Sequence, residues 1–232
     1  MEEADSKLDL STFLLSSIHD MKNSMGVMVA YLQDALTTPG DVPADSGARE
    51  KTAQALYEAQ RVSDHLVQLL ALYKIDQAFY PFDSQYHVLA DLSREALARV
   101  ADLAELRGIT LECDCDEELC AWLDYDLIFG VVVQALHNAL RYGKGRVMLR
   151  VRPHASGARI SVEDDGPGFP DFLLAQGNAR ARGISFTTGS TGLGLYFAGL
   201  VAGMHKGAGR AGMLRLENGG PLGGGVLMLE LP

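Results

Sequence analysis

Cysteine is scarce in this chain: Cys113, Cys115 and Cys120 are the whole complement, and no CxxC pair occurs among them. A structural zinc would need a fourth ligand, and a secreted disulfide framework an even count. Reduced thiols in or beside a strand are the simpler reading. Positive charge is also in deficit. Twenty Lys and Arg face 30 Asp and Glu, a net charge of −10, which disfavours sequence-independent binding to nucleic acid. Apolar runs such as Leu127–Val133 fall far short of the roughly 20 residues needed to cross a bilayer. The opening MEEADSKLDL is acidic and lacks the charged-then-apolar pattern of an export signal. These absences predict a cytoplasmic chain with no membrane segment of its own. What remains, 47% hydrophobic and 22% charged residues, is ordinary for a folded soluble protein.

The two parts of the sequence differ in texture. In residues 1–80 the apolar positions fall at helical spacing, with Leu10, Phe13, Leu14, Met21, Met25, Met28, Leu32 and Leu36 in a first run. Thr37-Thr38-Pro39-Gly40-Asp41-Val42-Pro43 ends that helix, and a second run extends from about Ala48 to Gln77. Leu56, Ser63 and Leu70 recur at heptad spacing, as do Ala59, Leu66 and Tyr73, which predicts a coiled-coil-like seam. Two such helices, each about 40 Å long, enclose little interior of their own. A second copy completing a four-helix bundle is the expected partner, and packing on the chain's own C-terminal part is the alternative.

Beyond Pro81 helices and strands alternate. Helices are predicted over Leu89–Leu106, Tyr125–Tyr142 and Leu193–Met204. Strands are predicted over Ile109–Cys113, Arg146–Arg152, Ala158–Glu163, Met213–Glu217 and Gly225–Leu231. Most strand pairs are close enough in sequence to be antiparallel, so this part reads as an α+β sandwich with helices on one face of a sheet. The expected organisation is an N-terminal helical hairpin over 1–80 and an α/β-sandwich over 81–232.

Three segments of the second part carry candidate chemistry. In Gln134-Ala135-Leu136-His137-Asn138-Ala139-Leu140-Arg141-Tyr142, Gln134 and Asn138 stand one helical turn apart on one face. Two neutral polar groups on a buried helix need partners, and a hydrated magnesium ion is one; a structural role at a helix end is the other. In Glu163-Asp164-Asp165-Gly166-Pro167-Gly168-Phe169 a strand runs into an acidic pair and a glycine turn. An aspartate there can accept from an exocyclic amine while the glycines admit a flat base, or the segment is a simple hairpin turn. Gly189-Ser190-Thr191-Gly192-Leu193-Gly194-Leu195 opens an apolar helix, where backbone amides can surround phosphate oxygens. It is neither a Walker loop nor a Rossmann turn.

Taken together, in this order and spacing, the three segments resemble the N, G1 and G2 boxes of the ATPase fold that histidine kinases share with gyrase, Hsp90 and MutL. The resemblance covers about residues 85–232. It implies that Asp164 reads the adenine amine, that Asn138 holds Mg2+ with Gln134 beside it, and that Arg141 and Tyr142 lie near phosphate and base. Gly166, Gly168, Thr191, Gly192, Leu193 and Gly194 would shape the ATP pocket. Residues 170–189 would form a lid, with Arg180 or Arg182 toward the phosphates and Phe172 or Phe186 as its aromatic anchor. The chain departs from the pattern at Gln134, where kinases of this fold usually have Asn and hydrolases Glu, and at Ser190, in place of a glycine. An amide cannot deprotonate water as a carboxylate can, which favours phosphoryl transfer over hydrolysis.

The first helix carries His19-Asp20-Met21-Lys22-Asn23. An imidazole accepts a phosphoryl group when one nitrogen is unprotonated and the other is held, and Asp20 is placed to hold it. This stretch resembles the H-box of a two-component sensor histidine kinase, without the proline that commonly follows. The resemblance implies His19 as phosphoacceptor and transfer onward to an aspartate of a separate response regulator. It also implies Asn23 as the residue that orients water in a phosphatase reaction. A relay phosphotransferase that has lost ATP use is one alternative, and a nucleotide-bound regulatory scaffold is another.

Overall fold

The computed structural model describes residues 21, 23–28, 30, 46–155, 157–177 and 193–232. These fall into two compact units that part between Tyr80 and Pro81.

In the first unit residues 23–28 are helical, and α1 spans Ser46–Asp76. Ala55, Tyr57 and Leu72 are buried, while Leu66, Val67, Leu70 and Tyr73 are exposed. Leu66, Leu70 and Tyr73 therefore lie open along the seam expected from the heptad pattern; the side chains of Leu56 and Ser63 lie outside the described residues. Ser24 is fully buried, its hydroxyl held by the Arg61 guanidinium, which also pairs with Glu58 at 3.2 Å.

The second unit is a five-stranded sheet with helices on one face. Its strands are β2 (Thr110–Cys115), β4 (Arg146–His154), β5 (Gly157–Asp164), β8 (Met213–Asn218) and β9 (Gly225–Leu231), in the order β2-β4-β5-β9-β8. All neighbours are antiparallel except β2 and β4, a parallel pair that needs a crossover connection. The crossover contains α3 (Tyr125–Tyr142), which lies with α2 (Leu89–Leu106) against the sheet.

Period-two alternation decides which side chains meet the helices. Val147, Leu149 and Val151 of β4 are wholly buried and register with Val162 and Ile160 of β5, which in turn face Leu227 and Leu229 of β9. The same parity in β5 runs Ala158, Ile160, Val162, Asp164, so the strand delivers Asp164 to the helix side. The outer face is laced by charge: Arg146–Glu112 at 2.7 Å, Arg150 between Asp114 at 3.1 Å and Glu163 at 2.8 Å, and Arg159–Glu230 at 2.7 Å.

Helix α3 starts on a side-chain cap, the Asp124 carboxylate accepting from the Leu127 amide at 3.1 Å. The other Asp124 oxygen accepts from Asp83 N, while Asp124 N donates to Nε2 of the buried His205 at 3.0 Å. His205 Nε2 is thus an acceptor, so the proton sits on Nδ1 and is given to the Val201 carbonyl at 2.8 Å. Beside this cap, β1 (Gln85–Val88) pairs antiparallel with β3 (Cys120–Leu123). Their facing residues Tyr86 and Trp122 are both exposed, with rings 5.6 Å apart. Cys113 and Cys115 lie in β2 and Cys120 opens β3, all three as free thiols.

The three long helices of this unit end where the periodicity places them, the third being Leu193–Met204. The sequence reading did not include β1, β3, the helix α4 (Asp171–Gly177) or a small hairpin after the third long helix. Numbered in chain order, that third long helix is α5, and the hairpin joins β6 (Lys206–Gly207) to β7 (Arg210–Ala211). Ala208 sits in its turn at φ +47°, a left-handed conformation that an L side chain resists.

Candidate functional site

The site forms around the C-terminal end of α3. Its buried stripe of Ile128, Val132, Leu136 and Leu140 faces the sheet and α2, which turns Gln134, Asn138 and Arg141 toward the other side. Asn138, Arg141 and Tyr142 are exposed, and the Arg141 guanidinium lies 5.4 Å from the centre of the Tyr142 ring. Gln134 is half-buried. Its amide nitrogen occupies the space a Cβ on Gly194 would need, so Gln134 packs directly on the first turn of the helix Leu193–Met204.

Asp164 ends β5 with 8% of its surface exposed. Its Oδ1 accepts from Gly166 N at 2.8 Å and from Gly225 N at 3.3 Å. Among the described residues no donor takes Oδ2, which leaves an acceptor for a ligand. Desolvation by burial pushes the carboxyl above its ordinary value. The Gly166 and Gly225 amides oppose that shift, and the negative charge of Asp165 adds to it. The walls are backbone. A Cβ on Gly166 would collide with the Tyr142 carbonyl and lie 2.8 Å from Asp164 Oδ1, and one on Gly224 would lie 2.6 Å from that same oxygen. Only glycine allows three chain segments to close on Asp164 this way.

Gly168 adopts φ +80° over the side chain of Asn218. Asn218 Oδ1 accepts from Phe169 N at 2.7 Å and its Nδ2 donates to the Phe169 carbonyl at 2.8 Å, pinning the glycine turn to β8. Asp165 points the other way, onto the loop that follows α3: Oδ1 accepts from Lys144 N at 2.7 Å and Gly145 N at 3.1 Å, and Oδ2 from Gly145 N and Arg146 N at 3.1 Å each. Desolvation raises its carboxyl, but the Gly145, Lys144 and Arg146 amides outweigh it and hold the group below the usual carboxylate range.

The structure therefore brings two distant pairings into being: Gln134 packs on Gly194, and Gly224 and Gly225 close on Asp164 and its Gly166 turn. Asn138, Arg141 and Tyr142 stand on the adjacent open end of α3. Leu193 is buried at the start of α5, and Phe172 is exposed on α4, inside the stretch expected to form a lid. His19, Asp20, Arg180, Arg182, Phe186, Thr191 and Gly192 lie outside the described residues; Asn23 is helical and exposed. Among the described residues no group of three or more His, Cys, Asp and Glu forms a metal site. Sequence reasoning missed Asp165, Asn218, Gly224 and Gly225. The run Gly223-Gly224-Gly225 leading into the predicted strand was the visible signal for the two glycines, and the acidic pair that for Asp165.

Residues 123–230 match the family described as histidine kinase-, DNA gyrase B-, and HSP90-like ATPase. The match runs from the last residue of β3 into β9 and so takes in the whole of α3 and the Asp164 turn. The similarity to whole kinases reaches further upstream. Over 203 residues the chain is 25% identical to the sensor histidine kinase RppB of Synechocystis, covering 84% of this chain and 44% of that protein. It is 26% identical over 203 residues to the alginate biosynthesis sensor protein KinB of Pseudomonas aeruginosa, covering 85% and 33% respectively. The chain thus spans less than half the length of these curated relatives. The chain also has solved counterparts. The catalytic domain of histidine kinase ThkA superposes with a TM-score of 0.55 at 23% identity, over 65% of this chain and 97% of that one. The Acinetobacter baumannii histidine kinase AdeS gives a TM-score of 0.62 at 16% identity, over 92% and 96%. These two likenesses concern the fold. The match to an ATPase family agrees with a pocket in which Asp164 keeps Oδ2 open and glycines close around it.

Proposed function

We propose that this chain is the phosphoacceptor and ATP-binding portion of a two-component histidine kinase. Residues 1–80 form the dimerising and phosphoacceptor part, and residues 81–232 the ATP-binding part. The observation that carries the reading is the state of Asp164: Oδ1 is taken by two backbone amides, Oδ2 has no donor, and glycines line the approach.

In this reading Asp164 Oδ2 accepts from the adenine amine, and Gly166, Gly168, Thr191, Gly192, Leu193 and Gly194 shape the cleft around base and phosphates. Tyr142 and Arg141, at the open end of α3, border the base and the phosphates. Asn138 supplies an oxygen ligand for Mg2+, with Gln134 packed behind it on Gly194. The ion, when bound, neutralises charge that develops on the transferred phosphoryl group. Gln134 offers no carboxylate to activate water, which favours transfer to a side chain. His19 accepts the γ-phosphoryl group, while Asp20 holds its imidazole in the reactive tautomer. The group then passes to an aspartate of a response regulator, and Asn23 orients the water that hydrolyses that aspartyl phosphate to free phosphate in a separate phosphatase reaction. The exposed row Leu66, Leu70 and Tyr73 supports a homodimer, since it leaves an apolar seam for a second copy. No helix among the described residues is long and apolar enough to cross a membrane, and a cytoplasmic place for this part is proposed with the rest.

The test is incubation with γ-labelled ATP and Mg2+. Acid-labile, alkali-stable label is expected on wild type and none on His19→Gln. Label that persists in His19→Gln refutes the phosphoacceptor assignment. A wild type that takes no label from ATP but accepts phosphate from a phosphorylated receiver favours the relay instead.

A further inference from the structure

We propose that Asp165, which touches no part of the nucleotide in the reading above, is the positioning residue that gives the base pocket its preference for adenine. The inference rests on that reading and deepens it.

Two neighbouring carboxylates in one strand end have opposite tasks. Asp164 keeps an oxygen for the ligand, whereas Asp165 spends both of its oxygens on the backbone, accepting four bonds from the amides of Lys144, Gly145 and Arg146. Lys144 and Gly145 belong to the link between α3 and β4, and Arg146 opens β4. Thr110 N donates to Gly145 O at 2.8 Å, so the same link is tied to β2 as well. Gly143 N bonds the Ala139 carbonyl at 2.7 Å, which closes the helix just before the link. The link therefore has little freedom once Asp165 grips it. Just before the link, the Tyr142 carbonyl passes close over Gly166.

Discrimination between purines depends on this passage. An acceptor such as Asp164 Oδ2 favours adenine, whose six-position carries an amine, over guanine, whose six-position carries a carbonyl, only if the base cannot shift sideways. The Tyr142 backbone and the Gly166 turn form the wall that prevents the shift, and Asp165 fixes the gap between them. Charge-assisted bonds to backbone amides are stiff and short, which suits a spacer of this kind.

Arg107 provides a control. Its guanidinium donates to the Leu140 carbonyl at 3.0 Å and so steadies the same helix end through α3 itself.

The experiment measures equilibrium binding of Mg-ATP and Mg-GTP to the full chain in wild type, Asp165→Asn and Arg107→Ala, with circular dichroism on each. Asparagine keeps one acceptor oxygen but turns an NH2 donor toward donors already there. Asp165→Asn should weaken ATP binding about tenfold and leave GTP within about twofold, so that the preference falls about tenfold. Arg107→Ala should lower the melting temperature and keep the preference. A folded Asp165→Asn with the wild-type preference overturns the inference, as does an equal loss of preference in Arg107→Ala. A wild type that binds neither nucleotide defeats the nucleotide reading itself. Should Asp165→Asn not fold, hydrogen exchange on wild type decides. Protection of the Lys144–Arg146 amides that rises when ATP binds supports the role, and exchange at loop rates with or without ATP overturns it.

Discussion

Replacing Asp164 by asparagine should separate ligand binding from stability, and the structure sets the size of both effects. On the binding side, Oδ2 is the acceptor for the base, and an amide nitrogen in its place sets donor against donor. Loss of a hydrogen bond to a charged acceptor costs about 1.5–3 kcal/mol, so the dissociation constant for ATP should rise roughly 10- to 100-fold. On the stability side, the Asn oxygen can still accept from Gly166 and Gly225, which keeps the turn closed. The carboxyl has a raised folded-state value because burial desolvates it. A raised acid binds its proton more tightly in the folded chain than in the unfolded one. Its contribution is therefore present below the unfolded value of 3.8 and lost as pH climbs through the folded value. At pH 7 the buried charge is a net cost, and a neutral isostere removes it. The melting temperature of Asp164→Asn without nucleotide should equal or exceed that of wild type, while the upward shift on adding Mg-ATP should vanish. Thermal scans with and without ATP, alongside titration calorimetry, read both quantities. An apo melting temperature several degrees below wild type, or an ATP affinity within twofold of it, would refute the division of labour between the two oxygens.

Gly166→Ala should be severe, because its methyl group meets the fixed Tyr142 backbone rather than a movable side chain; a loss of about 1–3 kcal/mol in urea denaturation is expected, with nucleotide binding abolished. Ala208→Gly should do the opposite, raising stability by about 1 kcal/mol as the left-handed turn residue sheds its Cβ, seen as a higher urea midpoint. Burial lowers the His205 imidazole below 6.5, against the smaller opposing effects of the Val201 carbonyl and the Asp124 charge. The folded chain thus prefers neutral His205, so stability is full above that pH and declines as pH falls below it. His205→Gln should flatten this acid limb, and an unchanged slope between pH 7 and 5 would show that another group sets it.

The architecture was legible wherever one period ran long. Leu89–Leu106, Tyr125–Tyr142 and Leu193–Met204 are helices because their apolar stripes persist for several turns, and β9 ends where its apolar run ends. The short pair β1 and β3 was not legible. Four residues with aromatic side chains facing outward carry no period to detect, and the pair exists because α2 and α3 both begin beside it. The site divided similarly. Asp164 and its glycines announce themselves by residue type. Asp165 does not, since its function lies in four bonds to backbone amides 19 to 21 residues earlier, which no local pattern encodes. Gly224 and Gly225 were hidden for a related reason: their role is to let one segment pass over another, and the sequence does not say which segments pass.

The Tyr86–Trp122 pair has a practical consequence for anyone following this chain by light. Trp122 is its only tryptophan, and it lies open to solvent at the beginning of α3. The nucleotide end of that helix is 18 residues on, about 27 Å away at 1.5 Å per residue. Intrinsic fluorescence will therefore be red-shifted already in the native state and change little on unfolding. It will also stay nearly silent when nucleotide binds. Tyr142→Trp combined with Trp122→Phe would place the lamp beside the event it is meant to observe.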